Sequence, residues 1–164
     1  MIFLLTYPIL LILIYQDLKH MSVVRLLLSL LICAQAIIGV VELGVKEWGT
    51  FFLINISLLA LQFLVLKLVY RIKNKENRAP LINNVIGMGD VLFFIFLAGA
   101  FSPLNFIGFF TGSLIISLLL HLLFRRSHNR IPLIGYISII YIIHTLIFRD
   151  NYNDAFLLSL LPTT

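Results

Sequence analysis

Six apolar runs constrain this chain more than any other feature of its sequence. They cover roughly residues 2–16, 23–43, 50–70, 87–102, 104–124 and 131–149. Of the 164 residues, 61% are hydrophobic and 12% are charged, whereas soluble domains are about one quarter charged. A water-soluble fold of this length would expose most of its leucine, isoleucine and phenylalanine. The sequence therefore predicts an all-α membrane protein with six transmembrane helices in one compact bundle, residues 1–164 forming a single domain.

The runs differ in length. A hydrocarbon core about 30 Å thick needs about 20 helical residues, and the second, third, fifth and sixth runs meet that requirement. The first and fourth are shorter, so each is expected to end in a thinned or polar part of the bilayer, where a site that needs water could form. No basic segment precedes the first run and no small-residue cleavage site follows it, so we expect a retained first span.

Basic residues predict the orientation. Ten of the twelve lysines and arginines fall in or beside the connections after the first, third and fifth runs, which lie on one side of the membrane. The positive-inside rule makes this side cytoplasmic and places both termini outside. We expect a multi-pass protein of the cytoplasmic (inner) membrane. Its net charge of +5 then reflects topology and contact with the lipid bilayer, with no nucleic acid partner.

Local signals predict how the spans are joined. Pro103 is expected to stop the fourth helix in a tight turn, and Trp48 to anchor the connection after the second helix at the membrane interface. Pro132 is expected in the first turn of the last helix, and residues 71–86 form the one sizeable cytoplasmic loop. Cys33 is the only cysteine, which excludes a disulfide within the chain, and it is expected to be a small buried apolar residue.

Two aspartates are the candidate catalytic residues. Asp17 closes the first run and Asp90 opens the fourth, so the alternating topology puts both at the cytoplasmic ends of their helices. Ionisable groups at membrane depth usually face the bundle interior or a wet cavity. Two carboxyl groups a few ångströms apart do not both ionise easily, so one keeps a proton. The ionised one then activates water and the protonated one polarises a peptide carbonyl, with no metal or cofactor needed.

The residues before Asp90 are the candidate substrate-binding segment, Gly87, Met88 and Gly89. Because glycine lacks Cβ, the backbone there is expected to leave helical geometry and to let an extended substrate strand approach. Irregular backbone at membrane depth is tolerated only beside a cavity.

Other interpretations of these aspartates stay open. Asp90 could cap its own helix, and Asp17 could pair with Lys19 in a polar interfacial turn. A small proton- or cation-coupled transporter or channel component would use the same aspartates as ion sites. A structural assembly protein would need neither carboxylate.

Other polar residues fit less well with catalysis. Ser113 and His121 lie eight positions apart on one helix, too far for direct contact, so Ser113 is expected to bond within its helix or to a neighbour. There is no HExxH zinc motif. The histidine and amide side chains within the predicted spans are expected to pack or to form hydrogen bonds between helices. These residues are His121, His144, Gln35, Asn55 and Gln62.

Three short segments of the chain resemble motifs of a known family. Gly87-Met88-Gly89-Asp90 matches the GxGD motif of polytopic aspartyl proteases, and Asp17-Leu18-Lys19 resembles the first catalytic motif of type IV prepilin peptidases. Arg130-Ile131-Pro132-Leu133 also resembles the segment that follows that family's penultimate helix. The likeness runs over nearly the whole chain. Presenilin-like relatives carry Tyr-Asp at the first motif, where this chain has Gln16-Asp17.

The resemblance implies an aspartic endopeptidase that removes short leaders from prepilin-like membrane proteins at the cytoplasmic face. Asp17 and Asp90 would be the catalytic pair, with no cofactor. Val23-Val24 stands where the family often has Ile-Pro. The cytoplasmic insertion with two CxxC pairs of bifunctional members is missing, so the chain looks like the compact, peptidase-only form. The substrate, N-methylation of the product and the oligomeric state are not predicted.

Overall fold

A computed structural model describes residues 6–20, 23–73, 87–124 and 132–147. These residues are all-helical, with six helices and short junctions. The helices are α1 (Thr6–His20), α2 (Arg25–Leu43), α3 (Val45–Lys73), α4 (Met88–Ala100), α5 (Pro103–Phe124) and α6 (Leu133–Ile147). Predictions that concern residues 74–86, 125–131 and those after 147 lie outside the described residues.

Three of the helices are long and apolar enough to cross a membrane: α2, α3 and α5. The other three are short, with 15 residues in α1, 13 in α4 and 15 in α6. The short fourth helix was predicted and is confirmed. The predicted first and sixth runs extend beyond the described parts of α1 and α6, so the predicted lengths of those two spans lie outside the described residues.

Contacts between helices define two ends of the bundle. At one end α1 finishes and α6 begins, with Leu18 against Gly135; at the other, the Tyr7 hydroxyl donates to Thr145 Oγ1 over 3.3 Å. These two helices are therefore antiparallel. Helix α4 runs parallel to α2, because Gly89 lies beside Leu28 near the start of both helices. We call the end where α1 finishes and α2, α4 and α6 begin the site end.

Aromatic side chains fill the middle of the bundle. Phe94 meets Phe110 edge to face, with ring centroids 5.0 Å apart. Tyr141 of α6 contacts Phe96 and Phe101 in the same way, at 5.3 and 5.7 Å. Aromatic pairs in these geometries add to the stabilisation from burial. They join α4, α5 and α6 into one core and hold α4 in register with α6.

The junctions of the long helices differ from the predicted ones. A single residue, Gly44 with φ of 82°, separates α2 from α3, so the expected connection is absorbed into helix. Trp48 is consequently helical and packs inward on Gly39, while its indole N–H donates to Gly99 O over 3.1 Å. It is not a free interfacial anchor. Pro103 opens α5 rather than standing in a turn, since a first helical residue needs no N–H donor.

The outer surface is strongly apolar. Large hydrophobic side chains such as Leu64, Leu118 and Ile143 are more than half exposed, as suits a chain whose surroundings are apolar. Cys33 is exposed as well, so the expectation that it is buried was wrong. Its position on α2 points it away from the other helices.

Candidate active site

Asp17 lies in the last turn of α1, where it is only 7% exposed. Its Oδ2 accepts a hydrogen bond of 2.7 Å from the backbone N–H of Gly135, and the N–H of Ile134 acts on the same carboxyl group. Both donors belong to the first turn of α6, where backbone N–H groups have no partner within their own helix. The carboxyl group of α1 therefore caps the start of α6.

Lys19 is not the partner of Asp17. Its Nζ contacts the Tyr15 hydroxyl one helical turn earlier, at 2.5 Å, and lies 4.9 Å from the centre of that ring. Both side chains are exposed, whereas Asp17 faces inward. The interpretation of Asp17 as half of a polar surface turn with Lys19 is therefore wrong.

Asp90 is the third residue of α4 and is half-buried. Its Oδ2 accepts from the backbone N–H of Gly87, the N-cap residue, over 3.2 Å at the start of the helix. The alternative that Asp90 caps its own helix is thus confirmed as a local interaction. Capping uses one oxygen of the carboxyl group, and the two carboxyl oxygens together have about four acceptor positions.

The two aspartates lie at the same end of the bundle, the site end. Both aspartates lie next to the first turn of α6. Asp17 accepts a hydrogen bond from Gly135 N–H. A Cβ at Gly89, the residue before Asp90, would lie 3.5 Å from Cδ1 of Ile134, the residue before Gly135. The start of α6 therefore stands between the end of α1 and the start of α4, in contact with both.

The candidate substrate-binding residues border Asp90 without forming an unwound segment. Gly87 is extended, with φ of −67°, and exposed, whereas Met88 and Gly89 are already helical. The expectation of non-helical backbone up to Asp90 was therefore wrong for Gly89. Gly87 does not have a left-handed backbone conformation. Its missing side chain instead leaves room for the Asp90 carboxyl group, since a Cβ at Gly87 would lie 3.1 Å from Asp90 Oδ2. Met88 is 43% exposed beside it.

The arrangement offers acid–base chemistry. Two carboxyl groups come from different helices, one deeply buried and one half-buried next to exposed backbone at Gly87. No set of three or more metal-ligating side chains is found in the parts of the chain that the structure describes. A water molecule between the two carboxyl groups could lose a proton to one while the other donates a hydrogen bond.

Some polar side chains elsewhere in the bundle have clear structural partners, whereas Gln35 Oε1, Ser117 Oγ, His121 Nδ1 and Ser138 Oγ are buried without a hydrogen-bond partner among the described residues. Ser113 Oγ donates to Phe110 O of its own helix over 3.0 Å, as predicted. Asn55 Nδ2 donates to Ala98 O and Phe101 O, at 2.9 and 2.8 Å, and so bonds between helices as predicted. His144 packs edge to face on Phe101 and Phe109. None of these residues extends the site.

Gly135 is the residue of this region that sequence reasoning missed. It is buried in the first turn of α6 and touches both Asp17 and Leu18. The available signal was a glycine three positions after Pro132, at the start of an apolar helix, where it has no local task as a cap or a turn.

The chain was compared with known proteins at three levels. No protein-family profile, no curated protein and no solved structure matches it. The site must therefore be interpreted from its own geometry.

Proposed function

We propose that this protein is a membrane aspartyl endopeptidase that cleaves the short leader from prepilin-like precursors at the cytoplasmic face of the membrane. The observation that carries the proposal is that Asp17 and Asp90, from helices far apart in sequence, lie at the same end of an apolar bundle, where the start of α6 contacts both helices. Burying two carboxyl groups near each other is costly. Such a cost is typical of a functional site and is not needed to build a helical bundle.

The two carboxyl groups are suited to different roles. Burial opposes the ionisation of both carboxyl groups, but Asp17 also accepts from the N–H groups at the start of α6, and hydrogen bonds to a carboxylate favour its ionised form. The positive end of the helix dipole acts in the same direction. Asp90 has one longer bond, within its own helix. We therefore assign Asp17 as the base that takes a proton from water and Asp90 as the acid that polarises the scissile carbonyl.

The position of the site fits a substrate that is itself a membrane helix. The helix that carries Asp90, α4, has both of its ends among the described residues and is only 13 residues long. At 1.5 Å per residue it is about 20 Å long, less than the hydrocarbon thickness of about 30 Å. A leader joined to an apolar substrate helix would reach the aspartates at the mouth of this shorter part of the bundle. Gly87 and Met88, both exposed, would border the extended cleavage segment.

The proposed topology follows from the same end of the molecule. Arg25 is the first residue of α2 and therefore lies at the site end, and Lys67 and Arg71 lie in the last two turns of α3, which runs toward that end. The positive-inside rule assigns it to the cytoplasm. Six spans in the cytoplasmic membrane, both termini outside, then place cleavage on the cytoplasmic side.

The competing explanation is that the aspartates are only caps, since each accepts a backbone hydrogen bond. Asparagine separates the two explanations, because it caps helices about as well as aspartate but cannot take a proton from water. We expect Asp17→Asn and Asp90→Asn to insert and fold while losing cleavage of a prepilin-type substrate in membranes. Glu47→Gln is the matched control, since Glu47 is an exposed acid in the first turn of α3, at the other end of the bundle.

Each outcome of this experiment decides between the explanations. Near-normal cleavage by either asparagine variant would make that aspartate a cap and end the proposed mechanism. If the wild-type chain cleaves no prepilin-type substrate, the peptidase proposal fails. A proton-flux assay on the same proteins would then test the transporter hypothesis.

A further inference from the structure

The first turn of α6 is built to receive a carboxyl group from another helix. Gly135 is the third residue of α6, and its N–H donates the 2.7 Å bond to Asp17 Oδ2. An N–H at this position has no acceptor inside its helix. The bond therefore satisfies the start of α6 and fixes the direction of the Asp17 carboxyl group at the same time.

A side chain at position 135 would disturb this contact. A Cβ built on Gly135 lies 3.2 Å from Leu18 Cγ and 3.4 Å from both Asp17 Oδ2 and Leu18 Cδ2. The first distance is tighter than ordinary packing, so α1 and α6 would have to separate or Leu18 would have to turn away. Separation of the helices would lengthen the hydrogen bond from the Gly135 N–H that holds the Asp17 carboxyl group.

We propose that Gly135 is a positioning residue for Asp17: it allows the start of α6 to close on the end of α1, so that the Asp17 carboxyl group is held toward Asp90. This inference rests on the proposed peptidase function. Gly135 does not touch the reacting atoms. It acts through the carboxyl group that does.

The first test is Gly135→Ala in the purified full-length protein with a prepilin-type substrate. A small displacement of a catalytic group costs up to about 100-fold in rate. We expect kcat to fall by at least about tenfold while KM stays within about twofold. Gly112→Ala is the matched control, because a Cβ at Gly112 of α5 meets nothing within 4 Å; its kcat should stay within about twofold of wild type. A wild-type kcat for Gly135→Ala would overturn the positioning role.

A second-site variant tests the physical cause and covers the case in which Gly135→Ala does not accumulate in the membrane. Leu18→Ala removes the atom nearest to the new methyl group. The double variant Leu18→Ala/Gly135→Ala should therefore have a kcat at least about threefold above Gly135→Ala alone, or should accumulate where the single variant does not. A general loss of stability would give no such rescue, so a double variant no better than the single one would overturn the proposal.

A third measurement does not depend on activity. In a Cys33→Ser chain, Leu18→Cys combined with Gly135→Cys should form a disulfide on mild oxidation, because the γ position of residue 18 lies 3.2 Å from the β position of residue 135. Leu18→Cys with Gly112→Cys is the control pair and should stay reduced. Failure of the first pair to cross-link would overturn the arrangement itself.

The readouts separate the two proposals. If the cross-link forms and the wild type cleaves while Gly135→Ala is fully active, only the positioning role falls. If the cross-link forms and the wild type cleaves nothing, the proposed function falls and the positioning role falls with it.

Discussion

The backbone N–H of Gly135 donates a 2.7 Å hydrogen bond to Asp17 Oδ2 across 118 positions of sequence. This bond joins the last described helix to the first and brings a buried carboxyl group to the end of the bundle where Asp90 opens α4. It also makes the two aspartates unequal, since among the described residues the hydrogen bond that Asp90 accepts comes from the nearby Gly87. The proposed division of labour between base and acid follows from this difference.

The first prediction is an unequal response of the two aspartates to the same substitution. Asn at position 17 cannot accept a proton, whereas Asn at position 90 can still donate an N–H to the scissile carbonyl. We expect Asp17→Asn to reduce cleavage to background and Asp90→Asn to reduce it by about 10²- to 10⁴-fold, leaving a residual rate. A sensitive cleavage assay with equal amounts of inserted protein measures both. The opposite order would reverse the assignment of base and acid.

A second prediction concerns Lys19, whose neighbour in space is Tyr15 and not Asp17. An exposed contact of this kind contributes little to stability. Lys19→Gln should therefore leave cleavage within about threefold of wild type. Gly135→Ala, which alters the actual surroundings of Asp17, should have the larger effect in the same assay. Loss of activity in Lys19→Gln alone would show that Asp17 depends on the lysine.

The sequence predicted what local patterns can specify. Apolar runs of helical length predicted the all-helical fold class. The positions of Asp17 at the end of the first run and Asp90 at the start of the fourth predicted that both lie at the same end of the bundle. A capping role for Asp90 was also visible, because its partner Gly87 lies three positions away. Interactions between neighbouring positions leave a pattern in the sequence.

What the sequence could not predict depends on packing between distant segments. Nothing near Asp17 indicates that its partner is Gly135, and nothing near Gly39 indicates that its missing side chain makes room for Trp48. Trp48 was therefore expected at the interface, although it packs between α2 and α4. The connection between α2 and α3 was also expected to be longer. Gly44 marks the end of α2, but nothing in the sequence indicates that α3 begins at the next residue.

A third prediction tests this close packing of Trp48. A Cβ at Gly39 would overlap Trp48 Cδ1, so the indole would have to move. Gly39→Ala should lower the free energy of unfolding by about 1–3 kcal/mol, since overpacking of a close contact costs that much. Gly49→Ala is the control, because a Cβ there meets nothing within 4 Å and alanine is the better helix former. Thermal unfolding in detergent compares them; a Gly39→Ala protein as stable as Gly49→Ala would contradict the packing.

The fourth prediction concerns Asn55, which holds the end of α4 opposite to Asp90. Its side-chain amide is fully buried and donates to two carbonyls at the end of that helix, Ala98 O and Phe101 O. The last carbonyl groups of a helix receive no N–H donor from within the helix. A buried carbonyl group without a donor lowers stability.

Asn55→Leu keeps the volume of the side chain and removes both donors. We expect a loss of about 1–3 kcal/mol in the free energy of unfolding, because two buried carbonyl groups lose their donor; a single hydrogen bond between membrane helices contributes about 0.6 to 2 kcal/mol. The expected loss corresponds to a Tm lower by about 2–10 °C. Gln62→Leu, an exposed amide on the same helix, should leave Tm unchanged or raise it. Equal effects of the two substitutions would show that the two hydrogen bonds of Asn55 do not stabilise the end of α4.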